Sequence, residues 1–143
     1  MADNNQIKKS IMAMPTKTSQ SPIGKFASKL FFSRIQAHVF HLSVKGEGGF
    51  AKHKALEEYY EAVLQHVDVL IEAHQGTNPI VTDYSMNEKL VTDTNEITPY
   101  FEHLLVFVKE ARTEVSSDSD QQNIIDNIAT LIRVTLYKLN KLK

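Results

Sequence analysis

Cysteine and tryptophan are both absent from this chain of 143 residues. Without cysteine there is no disulfide, no thiolate metal site and no thiol nucleophile, and the absence is neutral on compartment. Long apolar runs are missing too. None approaches the roughly 20 residues that span a bilayer, and the N-terminus lacks the apolar core of a secretory signal, so no membrane contact and a cytoplasmic location are expected. Glycine and proline are scarce, at five and four, and no phosphate loop or nucleophile elbow is present. What remains is ordinary for one soluble globular domain: 42% apolar and 23% charged residues. Six histidines and seventeen acids are the available ligands, so any metal would sit among nitrogen and oxygen donors.

The net charge of −1 hides an asymmetry. Residues 1–30 hold five lysines (Lys8, Lys9, Lys17, Lys25 and Lys29) against Asp3 alone, a surplus of four, which leaves −5 on the remainder. Residues 1–23 therefore read as a basic N-terminal tail, with Lys8, Lys9 and Lys17 as candidate contacts to the phosphates of DNA or to another acidic partner. A plain solubilising tail has the same composition.

Residues 24–143 read as an all-α domain. The stretch 24–44 sets Phe26, Leu30, Phe31, Ile35, His38, Val39 and Leu42 near one stripe, which makes His38 a packed histidine. "KGEGG" at 45–49 breaks the helix. A long second helix runs from Phe50 to about His74, with Leu56, Tyr60, Val63, Val67, Leu70 and Ile71 inward. Residues 79–97 are irregular, a long connection with at most a short helical turn. Thr98-Pro99 then opens a third helix, with the hydroxyl as its cap, and "SSDSD" offers caps to a fourth that reaches Leu142. Two helical hairpins joined by a long middle crossover make a four-helix bundle of the ferritin-like kind.

Four of the six histidines lie in residues 40–76. His53, Glu57, Asp68 and Glu72 share one face of the second helix, yet His53 and Asp68 are separated by about 22 Å at the helical rise. One ion cannot bridge that gap. The donors instead form two half-sites, His53 with Glu57 and Asp68 with Glu72, each an (i, i+4) pair that aims two side chains at one point. A two-fold axis near Ala62 and Val63 would join the half-sites of two chains into two equivalent sites. His41 completes the set, because a hairpin folded about residue 47 places it opposite His53. Two imidazoles and three carboxylates suit iron or a similar divalent ion. His66 and His103 read as surface or interhelical residues, His74 as a helix-end cation, and Glu58 and Glu61 as a solvated face.

"HLSVKG" followed by His53 resembles the "H-W-N-V-K-G…H" signature of the mini-ferritins, the DNA-binding proteins from starved cells. The ungapped alignment carries the family's ferroxidase ligands onto His41 and His53 of one subunit, with Glu57 as the neighbouring acid, and onto Asp68 and Glu72 of the two-fold mate. Leu42 and Ser43 stand where the family has tryptophan and asparagine, which leaves Tyr59 and Tyr60 as the aromatic residues able to quench radicals. The resemblance implies non-haem iron as substrate, oxidation by peroxide or dioxygen, a hollow twelve-subunit shell and DNA binding. A second reading is a ferritin-like structural or DNA-compacting protein, of viral origin, with a vestigial metal site. The five-residue donor set favours the first, because crowded carboxylates without a metal repel one another.

Overall fold

The computed structural model describes residues 19–143, all of them in helices or irregular segments. The basic tail and its Lys8, Lys9 and Lys17 lie outside the described residues. Four long helices form: α1 (Pro22–Ser43), α2 (Gly49–Gln75), α3 (Ile97–Val115) and α4 (Ser119–Lys141). None of them is long and apolar enough to cross a membrane.

The helix boundaries follow local chemistry. Ser21 caps α1 by accepting the Gly24 N–H, with Pro22 in the first turn where its missing N–H is harmless. Helix α1 thus begins two residues before the expected start at 24. Between α1 and α2, Gly46 and Gly48 adopt φ of +77° and +75°, left-handed conformations that cost other residues energy. The hairpin turn is therefore five residues long, Val44 to Gly48. Helix α3 departs from expectation. Asp93 caps a 3₁₀ turn (Thr94–Glu96) that runs straight into it, so Thr98 is already inside the helix. The Thr98 hydroxyl donates instead to Asn140 of α4.

Helices α1 and α2 pack as an antiparallel hairpin. Helix α3 runs antiparallel to both α1 and α4, with Phe26 stacked on Phe107, Phe40 edge-on to Tyr100, and Arg112 paired with Asp126. Helix α2 meets α4, where Lys138 pairs with Glu58. Fully buried Phe26, Leu30, Phe40, Leu56, Leu70, Phe101, Leu104, Ile128 and Ile132 fill the space between the four, each contributing about 1.5–3 kcal/mol by leaving water.

The stripe expected on α1 is half corrected. Phe26 and Leu30 are buried, but the core face continues through Ser33, Ala37 and Phe40, while Ile35, His38 and Leu42 are exposed. Apolar residues surround this helix, so spacing alone fits more than one inward face. In α2 it is Tyr59, not Tyr60, that enters the core. Its hydroxyl donates to Ser33 Oγ at 2.6 Å, and Ser33 donates onward to the Leu30 carbonyl. Burial pushes the Tyr59 phenol well above its ordinary pKa.

Residues 76–93 return the chain along the outside of α1. Asp83 accepts from the Ser21 backbone N–H and hydroxyl, Ser85 N–H donates to Ser28 Oγ, and Lys29 pairs with Glu88. Further along, the buried Gln36 amide donates to the Val91 carbonyl at 2.7 Å and accepts its N–H at 2.8 Å. A long unstructured segment is thereby given partners for its backbone, as burial against a helix requires.

Candidate metal centre

The closed end of the α1–α2 hairpin brings His41 and His53 together. Their rings stack with centroids 3.5 Å apart and planes inclined by 22°. Each ring is held by the other's backbone. His41 Nδ1 lies 2.7 Å from the His53 carbonyl, and His53 Nδ1 lies 2.9 Å from the His41 carbonyl. A carbonyl can only accept, so both Nδ1 atoms carry hydrogen and donate, and the neutral tautomer compatible with these bonds has its lone pair on Nε2. A carbonyl bond to one ring nitrogen that fixes the tautomer is the usual support of a metal-binding histidine.

The lock has a local cause. His41 is in the last turn of α1, where carbonyls lack helical partners. His53, in the first turns of α2, caps one of them with its side chain. The five-residue turn sets the register that makes the exchange mutual.

Glu57 lies one turn beyond His53 and is half-buried. Its carboxyl pKa is lowered by the hydrogen bond and charge of Lys54, whose Nζ is 3.2 Å from Oε2. Tyr60 closes another side, its ring edge-on to His41 at 5.3 Å and stacked on His38 at 4.6 Å. Burial, followed by the charges of Glu57 and Glu61, raises the Tyr60 phenol. Of the two tyrosines only Tyr60 touches the histidine pair.

Asp68 and Glu72 lie far down the same helix, and both are exposed. The chain does not bring them to His41 and His53. Among the described residues, no three histidine or acid side chains of one chain converge to hold an ion. What one chain presents is a stacked pair of imidazoles with Glu57 a turn further along α2, and two exposed carboxylates, Asp68 and Glu72, farther down the same helix.

The matched sequence begins at the first of these histidines. The Family of unknown function (DUF5856) matches residues 41–139, well over half of the chain. The chain belongs to that family. The match spans the last turn of α1, all of α2 and α3 and most of α4, and it includes His41, His53, Glu57, Asp68 and Glu72. No curated protein matches the chain, and no solved structure does.

The donor set fits a borderline or hard divalent ion: neutral imidazole nitrogens with free lone pairs and carboxylates to balance charge. Three features of the site were not legible as such in the sequence. His38, expected in the core, is exposed and flanks the pair through Tyr60. Lys54 is one of sixteen basic residues with nothing in its spacing to single it out. The reciprocal Nδ1 bonds depend on a turn register that no motif spells.

Proposed function

We propose that the protein is a cytoplasmic, mini-ferritin-type ferroxidase, binding Fe²⁺ between two copies of the chain and oxidising it for storage or protection. One observation carries the reading: the stacked His41–His53 pair, with both Nδ1 atoms committed to backbone carbonyls and both Nε2 lone pairs free. A core histidine pair needs only its hydrogen bonds. It has no use for two unspent lone pairs beside a carboxylate. Helix directions support the same reading, because α1 antiparallel to α2 and α3, with one connection returning the length of the bundle, is the ferritin-like crossover arrangement.

In the mechanism, His41 and His53 supply neutral donors and Glu57 lends charge as a peripheral ligand. Asp68 and Glu72 of the partner subunit complete the site. The exposed outward face of α2, together with exposed Ile35, Leu42, Phe50 and Val69 around it, is the surface that a second copy would cover, with the small Ala62 at the crossing. Two ferrous ions lose one electron each. Hydrogen peroxide takes both electrons with two protons and leaves as two waters, and dioxygen is the other candidate oxidant. Tyr60, whose ring lies edge-on to His41 at 5.3 Å, would be the residue to quench a radical escaping on that side. A twelve-subunit shell and DNA binding through Lys8, Lys9 and Lys17 complete the proposal by resemblance.

The test uses the separation of the half-sites. His53→Ala and Asp68→Ala should each abolish ferrous oxidation in homomeric protein. Co-refolding the two variants should restore up to one site per mixed dimer, because one seam receives both lesions and the other receives none. No activity from verified mixed dimers would overturn the shared site.

A further inference from the structure

Lys54 stands where a metal site would not be expected to keep a cation. It is the residue after His53, and its ammonium reaches forward along the helix to Glu57, the acid one turn beyond His53. The contact is 3.2 Å, an (i, i+3) pair with Lys54 55% exposed and Glu57 30% exposed. As a stabilising surface pair it is worth little. Its position matters more than its strength.

We propose, resting on the shared-site reading above, that Lys54 is the resident counter-charge of the metal-free site: it holds Glu57 and the opposing carboxylates until a divalent ion displaces it. About the two-fold axis near Ala62 and Val63, residue 54 falls opposite 71 of the other chain, within a turn of Glu72 of the partner subunit. Three carboxylates then meet at an empty seam, and like charges at close range disfavour assembly. Lys54 neutralises one of them. When the ion arrives, the same ammonium must leave, because a dication and a cation repel. The residue therefore acts in opposite directions on two properties. It strengthens the metal-free assembly and weakens metal uptake, setting a threshold concentration for loading.

The size follows from charge. A dication and an ammonium about 7 Å apart, in a dielectric close to that of water, interact by an amount equal to about a tenfold change in affinity. The probe is Co²⁺ alone, which is redox-inert under these conditions, titrated into the full chain by calorimetry and by its visible absorption. Lys54→Gln should bind Co²⁺ about tenfold more tightly at low salt, with the advantage shrinking as salt screens the charge. Its metal-free dimer should dissociate more readily on dilution. Lys54→Arg, which keeps the charge, should behave as the native chain does. Native protein that binds Co²⁺ with an affinity unchanged in Lys54→Gln, or a Lys54→Arg that tightens equally, overturns the counter-charge role and leaves the shared site standing. Absence of uptake by native protein and Lys54→Gln alike overturns both.

Discussion

Two buried side chains of α1, His41 and Gln36, are anchored by hydrogen bonds to backbone in different ways. The His41 ring is locked through Nδ1 to the His53 carbonyl, so the side chain is a structural clasp, and under the proposed function its Nε2 would serve as the metal donor. Gln36 has no free atom in this sense. Its amide is fully buried and spends both ends on Val91, standing in for the neighbouring strand that the connection lacks. Replacing it by leucine of similar bulk leaves a backbone N–H and carbonyl without their partner. Gln36→Leu should therefore lower stability by about 1–3 kcal/mol, measured by urea unfolding. A neutral substitution would show that water satisfies Val91 equally well.

Among the elements, the connection between α2 and α3 is the one whose path needs explaining. It carries no regular structure from Pro79 to Asp93, so it is held by individual contacts, among them the Val81 N–H bond to Gln75 and the Asp83 clasp on the start of α1. The clasp also accounts for Gly24. A Cβ there would come within 2.3 Å of Asp83 Oδ1, so a side chain at 24 would displace the Asp83 carboxylate from its clasp. The Ser21 N–H and hydroxyl hold the Asp83 carboxyl below its ordinary value of 3.8. As pH falls, the unfolded chain takes up this proton before the folded one does. The stability contributed is thus complete above the ordinary value and is lost as pH falls through the lower, folded one. Asp83→Ala should cost about 1 kcal/mol near neutral pH, discounted for solvent exposure. The difference from the native chain in thermal midpoint should vanish in strong acid. A difference that persists unchanged there would mean that the clasp works by packing rather than by charge.

At the scale of the whole molecule, the outward face of α2 decides between the readings. Glu61, Gln65, Asp68, Val69 and Glu72 are all exposed on it, and the shared site requires a second copy there. The crossing point near Ala62 tolerates only a small side chain if two helix backbones are to meet. Ala62→Arg should leave the helical circular dichroism intact, reduce the native mass to that of one chain, and abolish Co²⁺ uptake together with assembly. A variant that keeps both the assembled mass and its metal would place the two-fold contact elsewhere and remove the reason for Asp68 and Glu72 to act with His53.

Much of this was legible without coordinates, because it is local. Apolar spacing, "KGEGG" and the polar break at 116–120 determine four helices, their lengths to within a few residues, and the hairpin that sets His41 against His53, although Asp118 at the start of α4 makes no side-chain cap bond. Composition determines that any metal site uses nitrogen and oxygen. Spacing along a helix determines that His53 and Asp68 of one chain cannot share an ion. The tertiary structure decided the rest. It turned α1 so that Phe40 and Ala37 face inward while Ile35, His38 and Leu42 face out, a choice that periodicity leaves open when apolar residues surround a helix. It sent Tyr59 into the core and Tyr60 to the histidines, although they are neighbours in sequence, because a step of about 100° per residue separates their faces. It made Glu96 rather than Thr98 the residue before α3, since a 3₁₀ turn capped by Asp93 could run on into the helix. And it locked both imidazoles through Nδ1, because that exchange joins side chains to carbonyls twelve residues away and exists only when the turn closes in one register.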